Sequence, residues 1–303
     1  MTNLASLFIN NLLPILLIAG IGYLCGKYLG VEPRSLSRVI FYVFSPCLIF
    51  DLLTNSQLSG VDMLRMIGFT GSVVICVAGA TFLLGKVMKL NRRMLAAVVL
   101  TTMSMNAGNF GLSLNLFAFG EAGLAQASIF FVTTDLFTYS LGVMIASLGT
   151  ASLKQSLLKM LTVPANYAVI LALVFWVMAW HLPVALERTT STLGGAAIPS
   201  MLILLGLQLQ RNQRTHQVPA MILSNGMRLI GGAAFGLLLG TIFGLQGVAF
   251  QAGVVEAATP TAVLATVLST EFDIEPAFVT SVVFTTTLLS PLTLTPLLAY
   301  LGA

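Results

Sequence analysis

Two groups of polar residues interrupt long apolar runs in this chain. The first is Asn106, Gly108, Asn109 and Gly111, bracketed by Ser104 and Ser113. The second is Glu256, Thr259 and Pro260. An Asn amide both donates and accepts hydrogen bonds, so it can hold a ligand or freed backbone. Pro260 removes a backbone donor and clashes with the preceding turn, which frees carbonyls near Glu256. A carboxylate inside an apolar run is costly and marks a functional candidate. Where two interruptions meet, helix N-terminal ends suit a carboxylate ligand and open C-terminal carbonyls suit a cation. The candidate ligand-binding residues are therefore Asn106, Gly108, Asn109, Ser113, Thr259 and Pro260. Glu256 is the first candidate for holding an ion, either Na⁺ or H⁺. Asp135, beside Thr133 and Thr134, offers carboxylate and hydroxyl oxygens of the same hard kind. No other metal and no cofactor is indicated.

Each feature also has a plainer reading. The Asn/Gly run fits a close helix-packing face with two buried amides. Pro260 alone fits an ordinary proline kink. Asp135 fits a buried acid bonded to neighbouring hydroxyls. Arg228, near the middle of its apolar run, is expected to form a structural ion pair with Glu256 or Asp135. Asp51 lies near the end of its run and reads as interfacial.

These residues need elements that can carry them through a bilayer. The chain has 303 residues, 57% of them hydrophobic and only 8% charged, with a mean hydropathy of +0.97. Soluble domains carry about 25% charge. Ten apolar segments cover about 6–27, 36–57, 63–87, 93–119, 122–149, 162–181, 188–210, 217–243, 247–270 and 276–301. Each approaches the roughly 20 residues a membrane helix needs. The expected fold is an all-α polytopic membrane protein of ten helices, its fourth and ninth segments broken and crossed. Irregular backbone at membrane depth survives only when buried in protein or lining a wet cavity.

The two halves look like a repeat. Pro14 and Pro164 stand 150 residues apart, Pro46 and Pro199 153, Asn109 and Pro260 151, and Thr133 and Thr285 152. Five helices is an odd number, so the second copy enters from the opposite side. Residues 1–150 and 151–303 are thus expected to be inverted five-helix repeats. The basic residues set the orientation. With the N-terminus outside, Lys27, Arg34, Arg38, Lys86, Lys89, Arg92, Arg93, Lys154, Lys159, Arg211 and Arg214 face the cytoplasm, and only Arg65 and Arg188 face out. Both termini are then outside a cell membrane. The first segment, with no basic flank or cleavage site before it, is expected to be retained.

Several function classes fall away. The net charge of +4 sits in loops and does not indicate nucleic acid. Cys25, Cys47 and Cys76 fall within apolar segments and form no disulfide or metal pattern. His181 and His216 lie near segment ends, and no nucleophile-elbow, zincin or phosphate-loop motif is present. No catalytic residue is expected.

Several motifs resemble those of the auxin efflux carrier family. They are Asn106-Ala-Gly-Asn-Phe-Gly-Leu with Phe119-Gly120, Phe44-Ser-Pro-Cys-Leu-Ile-Phe, Glu256-Ala-Ala-Thr-Pro-Thr-Ala and Leu288-Leu-Ser-Pro-Leu-Thr-Leu. The likeness covers nearly the whole chain, and the bile acid:sodium symporters share the ten-helix architecture. The resemblance implies a scaffold of helices 1, 2, 6 and 7, a transport core of helices 3–5 and 8–10, elevator-like movement and a homodimer. It places Glu256 where PIN-type carriers tend to have Gln and where bile acid relatives use a Glu for sodium. Ser113 departs from the Pro that family members commonly carry. The implied function is secondary active transport of a small organic anion with Na⁺ or H⁺. The alternatives are a cation/proton antiporter using Glu256 and Asp135, or a passive channel or sensor on the same fold.

Overall fold

The computed structural model describes residues 4–55, 60–146, 164–178, 180, 182–210 and 217–303. Lys154, Lys159, His181, Arg211, Arg214, His216 and the boundary at 150/151 lie outside the described residues. Among those described, the chain is helical with no named strand.

Among the described residues, seven helices are long and apolar enough to cross a membrane: Leu4–Leu29, Pro33–Asn55, Gly60–Val87, Ala107–Ala146, Val184–Leu209, Val218–Ile242 and Pro276–Leu301. Leu17, Leu83, Ile222 and Leu292 stand exposed on them. So much apolar surface suits a lipid solvent, not water. The Pro164–Phe175 helix is apolar but shorter. The expected fourth segment divides at Met103, where Arg92–Met103 ends, and its continuation turns at Gly120 (φ 66°). The expected ninth divides into Gly247–Ala257 and Leu264–Glu271. A 12-residue helix rises about 18 Å, short of the roughly 30 Å hydrocarbon core. Arg92–Met103, Gly247–Ala257 and Leu264–Glu271 are each too short to cross alone.

Local chemistry explains these ends. The Asn91 side chain caps the first half-helix by accepting from the Met94 amide over 2.9 Å. Pro276 opens the last helix, where its missing donor costs nothing. Gly22 and Gly206 let two helices touch backbone to backbone, since a Cβ on either would overlap its neighbour's main chain.

Leu4–Leu29 packs on Val184–Leu209, and Pro33–Asn55 packs on Pro164–Val177 and Val184–Gly195. Gly60–Val87 packs on Arg92–Met103, Ser113–Phe137 and Gly232–Ile242. One buried cluster joins Phe69, Val73, Val77, Met103 and Phe130 to Ile49 and Phe50 of Pro33–Asn55 and to Ala168 of Pro164–Val177.

Candidate functional site

The two interruptions meet. Met105 and Thr261 form an isolated antiparallel bridge. The Asn106 amide donates to the Pro260 carbonyl (2.8 Å), and the Ala262 amide to the Ser104 carbonyl (2.8 Å). The freed backbone of each broken helix is thus satisfied by the other. Side chains complete the match. Thr261 Oγ1 donates to the Thr101 carbonyl (3.0 Å), and the Thr261 amide donates to Thr286 Oγ1 (3.1 Å). Thr259 Oγ1 turns back onto the Glu256 carbonyl (2.7 Å).

The crossing has two electrically distinct sides. On one side the helices end. There Arg228, fully buried in a π-helical turn, donates from Nε to the Thr259 carbonyl (2.9 Å) and from its two terminal nitrogens to the Thr102 and Ala257 carbonyls. The expected ion pair is not what forms: among the described residues neither Glu256 nor Asp135 lies within 4.0 Å of its charge. Peptide carbonyls at helix ends, invisible as side-chain charges, are its partners.

On the other side the helices begin again. A chamber of about 160 Å³ is lined by Asn106, Gly108 and Asn109 at one new start and by Ala262, Val263 and Leu264 at the other. Phe131, Asp135 and Tyr139 form part of its wall. The Asn106 Nδ2 atom is buried with no hydrogen-bond partner among the described residues. Buried donors normally find one, so this amide is available to a ligand or water. The chamber shares Ser37, Gln208, Val263 and Val267 with a larger cavity of about 730 Å³. Arg34, Arg38, Thr270 and Glu271 line that outer cavity. The two cavities adjoin at these shared walls, and Arg34 and Arg38 of the Pro33–Val39 helix line the outer one.

The expected site residues are distributed unevenly. Asn106, Gly108, Asn109 and Asp135 share the chamber. Thr134 is buried beside Asp135, its hydroxyl unpartnered. Thr259 and Pro260 contribute carbonyls to the crossing itself. Ser113 is buried with an unpartnered hydroxyl. Glu256 lies away from the chamber, its carboxylate against Gly111 and accepting from Asn115 Nδ2 (3.0 Å). Its second oxygen is buried without a partner. Sequence reasoning missed Asn115, which also donates to the Gly111 carbonyl (3.0 Å). Its signal was a lone amide one helical turn after Gly111. It also missed Ser37, Gln208 and Tyr139, which carry no motif.

Apolar helices interrupted around a partly polar chamber fit a membrane transport protein. The family model described as "Membrane transport protein" matches residues 7–298, and the chain belongs to this family, the auxin efflux carriers its motifs resemble. It is a family of transporters and not of enzymes. An uncharacterized transporter of Methanothermobacter thermautotrophicus is 29% identical over 286 residues, covering 92% of this chain and 94% of its own length. An uncharacterized transporter of Methanocaldococcus jannaschii is 26% identical over 290 residues, covering 91% and 93%.

Proposed function

We propose that this chain is a secondary active carrier of a small organic anion, a carboxylate, driven by protons and moving by an elevator motion. The observation that carries this reading is the chamber where both broken helices restart. Each helix N-terminus carries roughly +0.5 charge, so two converge to about +1. That field suits one carboxylate, with the free Asn106 amide as a donor. Pockets for drug-sized ligands run to about 300–1,000 Å³, so the inner chamber suits something smaller. Arg34 and Arg38 would draw anions into the outer cavity.

Asp135 supplies the coupling. It lines the same chamber, so its charge and the substrate's compete for one positive field. Two unit charges about 5 Å apart repel by about 3 kcal/mol at an effective dielectric of about 20. That exceeds a hundredfold in affinity. Protonated Asp135 therefore admits the anion and ionised Asp135 excludes it, so anion and proton load together. Thr134, next in sequence, holds a buried hydroxyl that a coupling ion can use. Glu256, enclosed near the crossing, is a second acid that can carry the coupling ion, with Na⁺ in place of H⁺ as the competing form.

The broader reading has ten spans in two inverted repeats, 1–150 and 151–303, with both termini outside a cell membrane and the chain as a homodimer. The outer cavity lies between Pro33–Asn55 and Val184–Leu209 on one side and residues 263–284 on the other. That placement supports a chamber opening toward the cytoplasm between scaffold and moving core.

Proteoliposome counterflow with a panel of labelled carboxylates tests the reading. A carrier exchanges label for unlabelled substrate across the membrane, and an inward-acid gradient adds net accumulation. Flux without trans-stimulation would mean a channel, and accumulation driven only by Na⁺ would move coupling away from protons.

A further inference from the structure

Arg228 is a cation buried without a carboxylate among the described residues. An uncompensated buried charge costs several kcal/mol. Its compensation is the pair of helix ends it touches. Thr102 lies at the end of Arg92–Met103; Ala257 and Thr259 lie at the end of Gly247–Ala257. Each helix C-terminus carries roughly −0.5 charge, so the two sum to about −1. One guanidinium balances them. Converging carbonyls at broken helix ends are also the kind of oxygen set that holds Na⁺ in carriers with interrupted helices.

We infer that Arg228 is a resident cation: its guanidinium fills the place at the crossed helix ends that an alkali-metal ion would otherwise take, so the crossing needs no Na⁺. The chain makes room for it. A Cβ at Gly232 would run into both the guanidinium and the Ala257 carbonyl. The neighbouring acceptors are also engaged, the Thr101 carbonyl by Thr261 Oγ1 and the Glu256 carbonyl by Thr259 Oγ1. For transport, the consequence rests on the carrier reading above: the driving ion must act elsewhere, at the chamber acid, and not between these ends.

Thermal unfolding of purified protein tests the occupancy without any substrate. Wild type should melt at the same temperature in sodium chloride and in choline chloride. Arg228→Gln keeps two N–H donors but loses the charge. It should melt several degrees lower and be raised again by millimolar Na⁺ or guanidinium. Arg228→Lys keeps the charge and should fall between the two, indifferent to added cations. A Gln variant that fails to fold while Lys folds also supports the inference, because charge is then what the ends require. Wild type stabilised by Na⁺ over choline would overturn it. So would a folded Gln variant blind to cations, or failure of both variants, which would assign the role to guanidinium shape. Counterflow measured beside these melts separates the two readings. Its absence removes the carrier function and leaves the melting result standing.

Discussion

The Asn106 amide and the Pro260 carbonyl are joined by one 2.8 Å hydrogen bond. It links the two interruptions at the residue that begins one break's new helix and the proline that made the other break. Pro260 cannot continue its helix, and Asn106 opens a new one with a non-helical φ of −80° and ψ of 55°. Each supplies what the other lacks. The Asn106 side chain, not being needed for this bond, stays free beside the chamber.

Asn106→Ala should therefore spare the fold and harm transport. The lost amide has no partner among the described residues, so melting should change little. A hydrogen bond to a charged ligand contributes about 1.5–3 kcal/mol, which predicts a loss of roughly 10- to 150-fold in apparent affinity. Counterflow kinetics beside a melting curve will check it. Wild-type affinity would show that the chamber is not where substrate sits.

The two acids should behave differently. Asp135→Asn imitates the protonated acid permanently, so exchange should persist while acid-driven accumulation disappears. Anion affinity in this variant should no longer fall as pH rises. In wild type it should fall, because ionised Asp135 repels the anion. Uptake against a pH series decides this.

Glu256→Gln should fold. Had Arg228 been its partner, removing the charge would strand a buried cation at about 3–5 kcal/mol. Arg228 is instead held by carbonyls, and Gln keeps an oxygen for Asn115. Melting within a few degrees of wild type is expected. Loss of ion-driven uptake in this variant, with Asp135→Asn unaffected, would transfer the coupling role to Glu256.

Gly111→Ala should destabilise the crossing, because its Cβ would enter the Glu256 carboxylate. Overpacking of this kind costs about 1–3 kcal/mol. Adding Glu256→Ala returns the space and should recover part of the melting temperature. Additive losses in the double variant would deny the contact.

Orientation is open to labelling in a background lacking Cys25, Cys47 and Cys76. A cysteine replacing Arg93 should react only from the cytoplasmic side, and one replacing Gln246 only from outside. The reverse pattern would invert the proposed topology.

Much of this protein could be read from its residues, because the bilayer is a strict solvent. Apolar runs of membrane length had to be helices. Asn106–Gly111 and Glu256–Pro260 had to be buried breaks, since open backbone cannot face lipid. The Asn and Gly residues of the chamber followed from that reasoning. What the sequence left open was direction and partnership. Asp135 and Glu256 are both acids at depth, yet only Asp135 reaches the chamber, because helix rotation and packing decide which way a side chain points. Arg228 looked like half of an ion pair, since side-chain charges are the only charges a sequence displays. Its real partners are the Thr102, Ala257 and Thr259 carbonyls. Every residue carries such a carbonyl, and it becomes a site only where a helix stops and another stops against it.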